Sequence, residues 1–185
     1  MIISSKLIKE EANRLGFEKV GIAKATATKI EQKNLEVWLN EGKQAGMDWI
    51  KNRKDERGNI HTYYPNAKSI VSVGMNYFTG KNQNDLESDY KFSNYAWGDD
   101  YHHVLKKKLF KLSKWLQKLC PESKNIVCVD TSPIMEKVWA QRSGVGWIGK
   151  HTNLITREYG SWIFLGEIVS DIKLEYDIPF QDDLC

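Results

Sequence analysis

The chain has 185 residues, 41% of them hydrophobic and 28% charged, with a net charge of +3. That length suits one domain with a substantial core, and the near balance of charge excludes a strongly basic polyanion-coating protein while leaving room for a local basic face. No apolar run approaches membrane-spanning length and no signal-peptide pattern opens the chain, so a cytoplasmic protein without a membrane partner is expected.

Residues 3–15 predict an amphipathic helix with Ile3, Leu7, Ile8, Ala12 and Leu15 on its apolar face, stopped by Gly16. A strand is predicted over 17–23 and a second helix over 28–41, closed by Gly42. Residues 46–58 are charged and read as irregular or a short helix. The apolar run 69–76 predicts a strand leading into Tyr77, and 79–92 is the most loop-like stretch. A long helix is expected over 100–119, with Val104, Leu105, Leu109, Leu112, Trp115, Leu116 and Leu119 as its buried stripe and Asp99-Asp100 suited to its N-terminal dipole. Strands follow at 126–130, 153–155 and 162–170, with a helix over 133–143 and an acidic, extended tail over 171–184. Helices and strands interspersed in this way give an α+β or α/β layer fold.

The segment 129–155 reads VDTSPIMEKVWAQRSGVGWIGKHTNLI. Its acid, Asp130, follows the apolar run Ile126-Val127-Cys128-Val129. A carboxylate at the end of a buried strand is costly unless it is paired, bonded or used. Two roles are open to it: a cap for the helix that Ser132-Pro133 introduces, or a proton donor. Gly144, Gly146 and Gly149 around Trp147 and Ile148 imply a backbone that comes close to something flat or bulky. Lys150-His151-Thr152-Asn153 forms a polar cluster after them. Three cysteines are too few and too odd in number for a disulfide framework; Cys128 reads as a core residue and Cys120 as incidental. Lysines 106–108, 111, 114 and 118 form either a solvated helix face or a contact for phosphates. Adjacent His102-His103 lack zinc-ligand spacing, and no Ser-His-Asp pattern or phosphate loop is present.

Segment 129–155 resembles the epoxyqueuosine reductases, the cobalamin- and iron–sulfur-dependent family that performs the last step of queuosine synthesis in tRNA. Pro65-Asn66-Ala67-Lys68-Ser69-Ile70-Val71, Tyr95-Ala96-Trp97-Gly98-Asp99-Asp100-Tyr101-His102 and Gly160-Ser161-Trp162-Ile163-Phe164-Leu165-Gly166-Glu167 extend the resemblance over almost the whole chain. It implies an α+β fold, a mainly antiparallel sheet flanked by helices on a nitroreductase-like scaffold. Residues 1–180 would be a cobalamin-binding catalytic domain and 181–185 the start of a ferredoxin-like 4Fe-4S domain, with Cys185 its first cluster ligand. The activity implied is reduction of epoxyqueuosine to queuosine at the tRNA wobble position, using cobalamin and two 4Fe-4S clusters. One cysteine cannot hold a cluster, so the chain alone is expected to be inactive.

By the same resemblance Asp130 stands at the general-acid position. Arg57, Ser93, Asp130, Lys150, Leu154, Ile155, Leu165 and Gly166 would contact cobalamin, and Trp97, Tyr101 and His102 the substrate. Arg57 lacks the preceding proline of the family's motif and stands equally well as a solvated charge. His151 replaces the family's usual asparagine and reads as an exposed polar residue rather than an axial ligand. The partners implied are tRNA carrying epoxyqueuosine and an electron donor, with a monomeric chain. Two rivals remain: a stand-alone cobalamin-binding or trafficking module, and a flavin-dependent reductase on the related scaffold.

Overall fold

The computed structural model describes residues 2–85, 87, 89–182 and 184, so Cys185, the expected cluster ligand, lies outside the described residues. In chain order the elements are α1 (Ser5–Arg14), β1 (Lys19–Lys24), α2 (Lys29–Asn40), α3 (Asp48–Asn52), α4 (Lys54–Gly58), α5 (Ile60–Tyr63), β2 (Ser69–Asn76), α6 (Tyr101–Leu119), β3 (Asn125–Cys128), α7 (Glu136–Arg142), β4 (Trp147–Ile148), β5 (Leu154–Ile155) and β6 (Ile163–Ser170). Short 3₁₀ turns at Gln83–Asp85 and Asn94–Ala96 punctuate the loop between β2 and α6. Among the described residues no helix is long and apolar enough to cross a membrane.

Four strands form one antiparallel sheet in the order β1-β2-β6-β3. The central pair β2 and β6 is apolar on both faces because helices cover both. Alternate side chains explain the two cores. Val71, Val73 and Ile168 face one way and pack with Ile8 and Ala12 of α1 and Leu105, Leu109, Leu112 and Leu116 of α6. Ile70 and Val169 face the other way, toward Ile60, Ile134 and Trp139. These four leucines of α6 are fully buried, and burial of that kind is worth roughly 1.5–3 kcal/mol apiece, whereas Leu119, expected in the same stripe, is exposed at the end of the helix. The α+β, helix-flanked antiparallel architecture expected from the sequence is therefore the one observed.

The extended tail is docked rather than loose. Leu174 bridges to Ile3, and both Ile172 and Leu174 are buried. The pair β4-β5 forms a separate two-stranded ribbon. Two glycines are explained there by the chain's own packing. A Cβ on Gly146 would lie 2.1 Å from the Ile155 carbonyl oxygen, and Gly144, at φ +76°, approaches the Ile178 carbonyl. The close neighbour that these glycines accommodate is backbone of the same molecule.

Two local expectations are corrected. The helix expected over 133–143 begins only at Glu136, because two tight turns precede it: Thr131 N–H donates to Val129 O at 2.6 Å and Ile134 N–H to Ser132 O at 2.9 Å. Its cap position is Met135, so Asp130 is not a helix cap. The stretch 46–58, expected to be irregular or a short helix, holds the two short helices α3 and α4, and α5 and β4 escaped notice because elements this short carry too few residues for a periodicity. Asp100 does cap α6, its Oδ1 accepting the His102 N–H at 2.9 Å.

Candidate active site

Asp130 sits at the centre of a three-residue turn between β3 and α7, at φ +53°. Positive φ gives this the rarer and more strained hand of such a turn. The turn projects the Asp130 side chain outward, 58% exposed, where Oδ2 lies 3.2 Å from His102 Nε2. The other ring nitrogen of His102, Nδ1, lies 2.7 Å from Asp100 Oδ1. Partial burial pulls the His102 pKa down, but hydrogen bonds and charge from Asp130 and Asp100 outweigh it and leave the imidazole raised. An imidazole between two carboxylates can carry a proton to either.

Behind the turn lies a second acid. Glu136, the first residue of α7, accepts the Asp130 backbone N–H on Oε1 at 2.5 Å. Loss of solvation lifts its pKa to about 7; the Asp130 charge adds to this, while the Asp130 amide, Arg57 and His102 oppose it. Deeper still is Glu167 of β6, 0% exposed, in register with Cys128 of β3 and Ser72 of β2. Neither of its carboxyl oxygens has a hydrogen-bond partner. Desolvation first, then the Glu136 charge, pushes its pKa far up, so Glu167 is held neutral.

Tyr101 connects this acid cluster to a cleft of about 260 Å³ lined by Tyr77, Tyr95, Lys137, Asn153, Leu154 and Leu165 among others. Its ring stacks on His102 at 4.0 Å and on Phe164 at 4.2 Å, the latter within 3° of parallel; Phe164 in turn lies 4.5 Å from Tyr77. Burial, then the nearby Asp130, Glu136 and Asp100 charges, raises the Tyr101 hydroxyl to about 12, so it acts as a neutral donor. Lys137 Nζ holds Thr152 O at 3.0 Å and Asn153 Oδ1 at 2.9 Å, tying α7 to the β4–β5 turn.

The structure brings Asp130, His102 and Tyr101 together; Tyr101 lines the cleft with Leu154 and Leu165, while Asp130 and His102 lie beside it, outside its lining. Arg57 of α4 sits close enough to Glu136 and Asp130 to feel both charges; its guanidinium stacks over Trp49 at 5.1 Å, and its buried Nε has no partner. Ile155 pairs with Trp147 and packs beside Gly149. A Cβ on Gly166 would meet Leu109 and Leu105, so its Cα faces α6. Ser93, Trp97 and Lys150 lie on loops outside the cleft lining, with Trp97 Nε1 donating to Phe92 O at 3.0 Å. His151 is exposed and within 3.1 Å of Ser161 Oγ. Of the α6 lysines, Lys108 is used internally, donating to Gly16 O, while Lys107, Lys111, Lys114 and Lys118 remain exposed. Sequence reasoning missed Glu136, Lys137, Tyr77, Phe164 and Glu167. Glu167 had a readable signal, an acid inside the apolar run 162–170.

Residues 57–131 match the family model described as Epoxyqueuosine reductase QueG, DUF1730. The epoxyqueuosine reductase of Synechocystis is 46% identical over 162 residues, covering 86% of this chain and 55% of its own length. This chain belongs to the epoxyqueuosine reductase family. It spans about half the length of the curated relatives it matches. The epoxyqueuosine reductase structure from Streptococcus thermophilus superimposes with a TM-score of 0.85 at 29% identity, over 97% of this chain and 49% of that one. An epoxyqueuosine reductase solved with a tRNA-Tyr epoxyqueuosine-modified stem loop gives 0.85 at 27%, over 97% and 48%. A reductive dehalogenase whose structure suggests a mechanism for B12-dependent dehalogenation shares the fold, with a TM-score of 0.61 at 11% identity, over 95% and 20%.

Proposed function

We propose that this chain is the catalytic domain of an epoxyqueuosine reductase, that it works with cobalamin on tRNA bearing epoxyqueuosine, and that Asp130 is its proton donor. The observation that carries the reading is the Asp130–His102 contact at 3.2 Å, set beside a cleft walled by stacked aromatics. Relatives bearing that name, one of them solved with a modified tRNA stem loop, support the substrate class.

The residues present fit a corrinoid. Leu154, Ile163 and Leu165 give an apolar shelf, the Tyr101–Phe164 stack gives a flat wall, and the Arg57 Nε is a buried donor without a partner. A cleft of about 260 Å³ is small for a ligand pocket, so it would take one part of a macrocycle rather than enclose it. Arg57, with Leu154, Leu165 and the neighbouring backbone of Gly166, would hold the group, and Ser93, Lys150 and Ile155 would border it. Cobalamin, when bound, supplies a strongly reducing metal centre, and its electrons would come from iron–sulfur clusters and a donor outside the described residues.

Conversion of the epoxide to an alkene breaks both carbon–oxygen bonds, forms a carbon–carbon double bond and releases the oxygen as water, consuming two electrons and two protons. Negative charge develops on the oxygen as the ring opens. Asp130 projects from its turn to deliver a proton there, and His102, hydrogen-bonded to the same carboxyl, reloads it with Asp100 stabilising the imidazolium. Tyr101, neutral at working pH, steadies the His102 ring by stacking. Trp97 would lie against the nucleoside as it enters.

Reconstitution with cobalamin followed by gel filtration and an absorbance spectrum tests the cofactor assignment. The expected result is a corrinoid chromophore that elutes with the protein. Protein that stays colourless, or that carries a flavin spectrum instead, overturns it.

A further inference from the structure

The mechanism above uses the Asp130 side chain but leaves its backbone unexplained. A non-glycine residue at φ +53° in a three-residue turn is held against its own preference. Something must over-determine that geometry. Among the described residues, the Asp130 amide donates a short bond to Glu136 Oε1, at 2.5 Å. Glu136 is poorly suited to a purely structural role, because its carboxyl loses solvation and lies near enough to the unpartnered Glu167 for its charge to be felt there. An apolar residue at the start of α7 would cost the fold less.

We propose that Glu136 is a positioning residue for Asp130: its carboxylate takes the Asp130 amide, fixes the left-handed turn, and so aims the Asp130 side chain at His102 and the cleft. Protonation of Glu136 weakens the latch, since hydrogen bonds to a charged acceptor are roughly twice as strong as neutral ones. The groups facing Glu136 set when that happens. Arg57 from α4 and His102 from α6 favour its charged form, while Asp130 opposes it. Cys128 from β3, Tyr101 from α6 and Glu167 from β6 lie within its field as well. With Glu167 neutral, the buried pair carries one negative charge at most, and it resides on the member that touches the Asp130 turn. Titration of Glu136 at about 7 makes the latch adjustable under working conditions.

The test needs neither cofactor nor tRNA, so its failure is distinguishable from failure of the reductase reading, on which only the catalytic consequence rests. The isotopically labelled 185-residue chain is titrated by NMR from about pH 5 to about pH 9, following the Asp130 amide proton and the Glu136 carboxyl carbon. The expected result is one shared midpoint for the two signals. In Glu136→Gln, which keeps an acceptor oxygen but no charge, the Asp130 amide loses that midpoint while the His102 ring still titrates. Hydrogen exchange of the same amide is expected to accelerate about 10–100-fold in Glu136→Ala, from loss of a charge-assisted bond, with Glu136→Gln in between. An Asp130 amide that follows only His102, or that exchanges equally fast in wild type and Glu136→Gln, overturns the proposal. If Glu136→Ala does not fold, the wild-type titration and the isosteric variant still decide it.

Discussion

Two carboxylates at opposite ends of the β6–tail region are treated in opposite ways. Asp177, in the docked tail, is saturated with donors: Ser5 Oγ at 3.0 Å, Lys9 Nζ at 2.5 Å and the Ile22 N–H at 2.9 Å. It staples α1 and β1 to the tail. Glu167, on the central strand beneath Asp130, is fully buried with neither oxygen satisfied. A fold that can surround one acid with three donors has no chemical difficulty in pairing another. The contrast separates an acid kept for cohesion from a group of acids kept in a costly, adjustable state near the cleft. It also locates that cost, in the Asp130 turn and in two carboxyls, one at the start of α7 and one on the central strand β6.

The largest expected effect sharpens the reactive side of this contrast. In an enzyme carrying this domain, Asp130→Asn is expected to lower turnover by about 10²–10⁴-fold, the usual worth of a general acid. Because the side chain is mostly exposed and caps no helix, thermal unfolding is expected to move by no more than a couple of degrees. Near-normal turnover would remove the proton-donor assignment. On the cohesive side the signs reverse. Asp177→Ala strands the Ile22 amide and removes the Ser5 and Lys9 contacts of α1 with the tail, and is expected to cost about 2–4 kcal/mol of stability. Cobalamin affinity should be unchanged below the melting transition. A loss of affinity without a loss of stability would show that the two regions are coupled.

Most of the cohesive region was legible in the sequence. The strand 69–76, the α6 stripe and the Asp100 cap all express a single periodicity or a single local bond. The site was legible only in part. Asp130, Tyr101 and His102, which the structure brings into contact, could be singled out because an isolated acid after an apolar run and a motif resemblance both pointed there. Glu136 and the Tyr77–Phe164–Tyr101 stack could not. Their contacts depend on β2, β6 and α6 meeting in space, which no window of sequence displays. The start of α7 was misplaced for the same reason: Ser132-Pro133 reads as a helix entry, whereas tight turns carry the chain on to Glu136, whose carboxyl reaches back to the Asp130 amide.

Proton linkage distinguishes the regions next. Glu136 titrates at about 7 when folded against a reference of 4.5, so the folded state binds more protons than the unfolded state between those values. Stability therefore falls as pH rises through that window, by at most about 3 kcal/mol for a shift of this size and less after solvent relaxation at a partly exposed site. The raised His102 adds the same sign, its contribution being present below its unfolded pKa and lost as pH rises through the folded one. Melting temperature is expected to decline from about pH 5 to about pH 8, with Glu167, held neutral by burial, adding to the decline, and Glu136→Gln to make it shallower without removing it. An equally steep decline in Glu136→Gln would place the proton uptake elsewhere.

The smallest effect tests whether the Asp130 turn is strained for a reason. Ala45 offers a control, since it too has positive φ, at +48°, but sits exposed in the connection between α2 and α3, away from the cleft. Glycine relieves left-handed strain at either position, and part of the roughly 1–2 kcal/mol that a side chain costs there is offset by glycine's greater freedom in the unfolded chain. Ala45→Gly is therefore expected to stabilise by about 0.5 kcal/mol and to leave cobalamin binding and turnover alone. Asp130→Gly removes the same strain and also a carboxylate that repels Glu136, so it is expected to stabilise by somewhat more, about 1 kcal/mol, while abolishing proton delivery. Chemical denaturation of the two variants beside wild type measures this directly. Equal gains would mean that the Asp130 turn carries no more tension than an ordinary surface loop. A larger gain at Asp130, with activity lost only there, would show that the fold gives up stability at this turn to hold the acid in place.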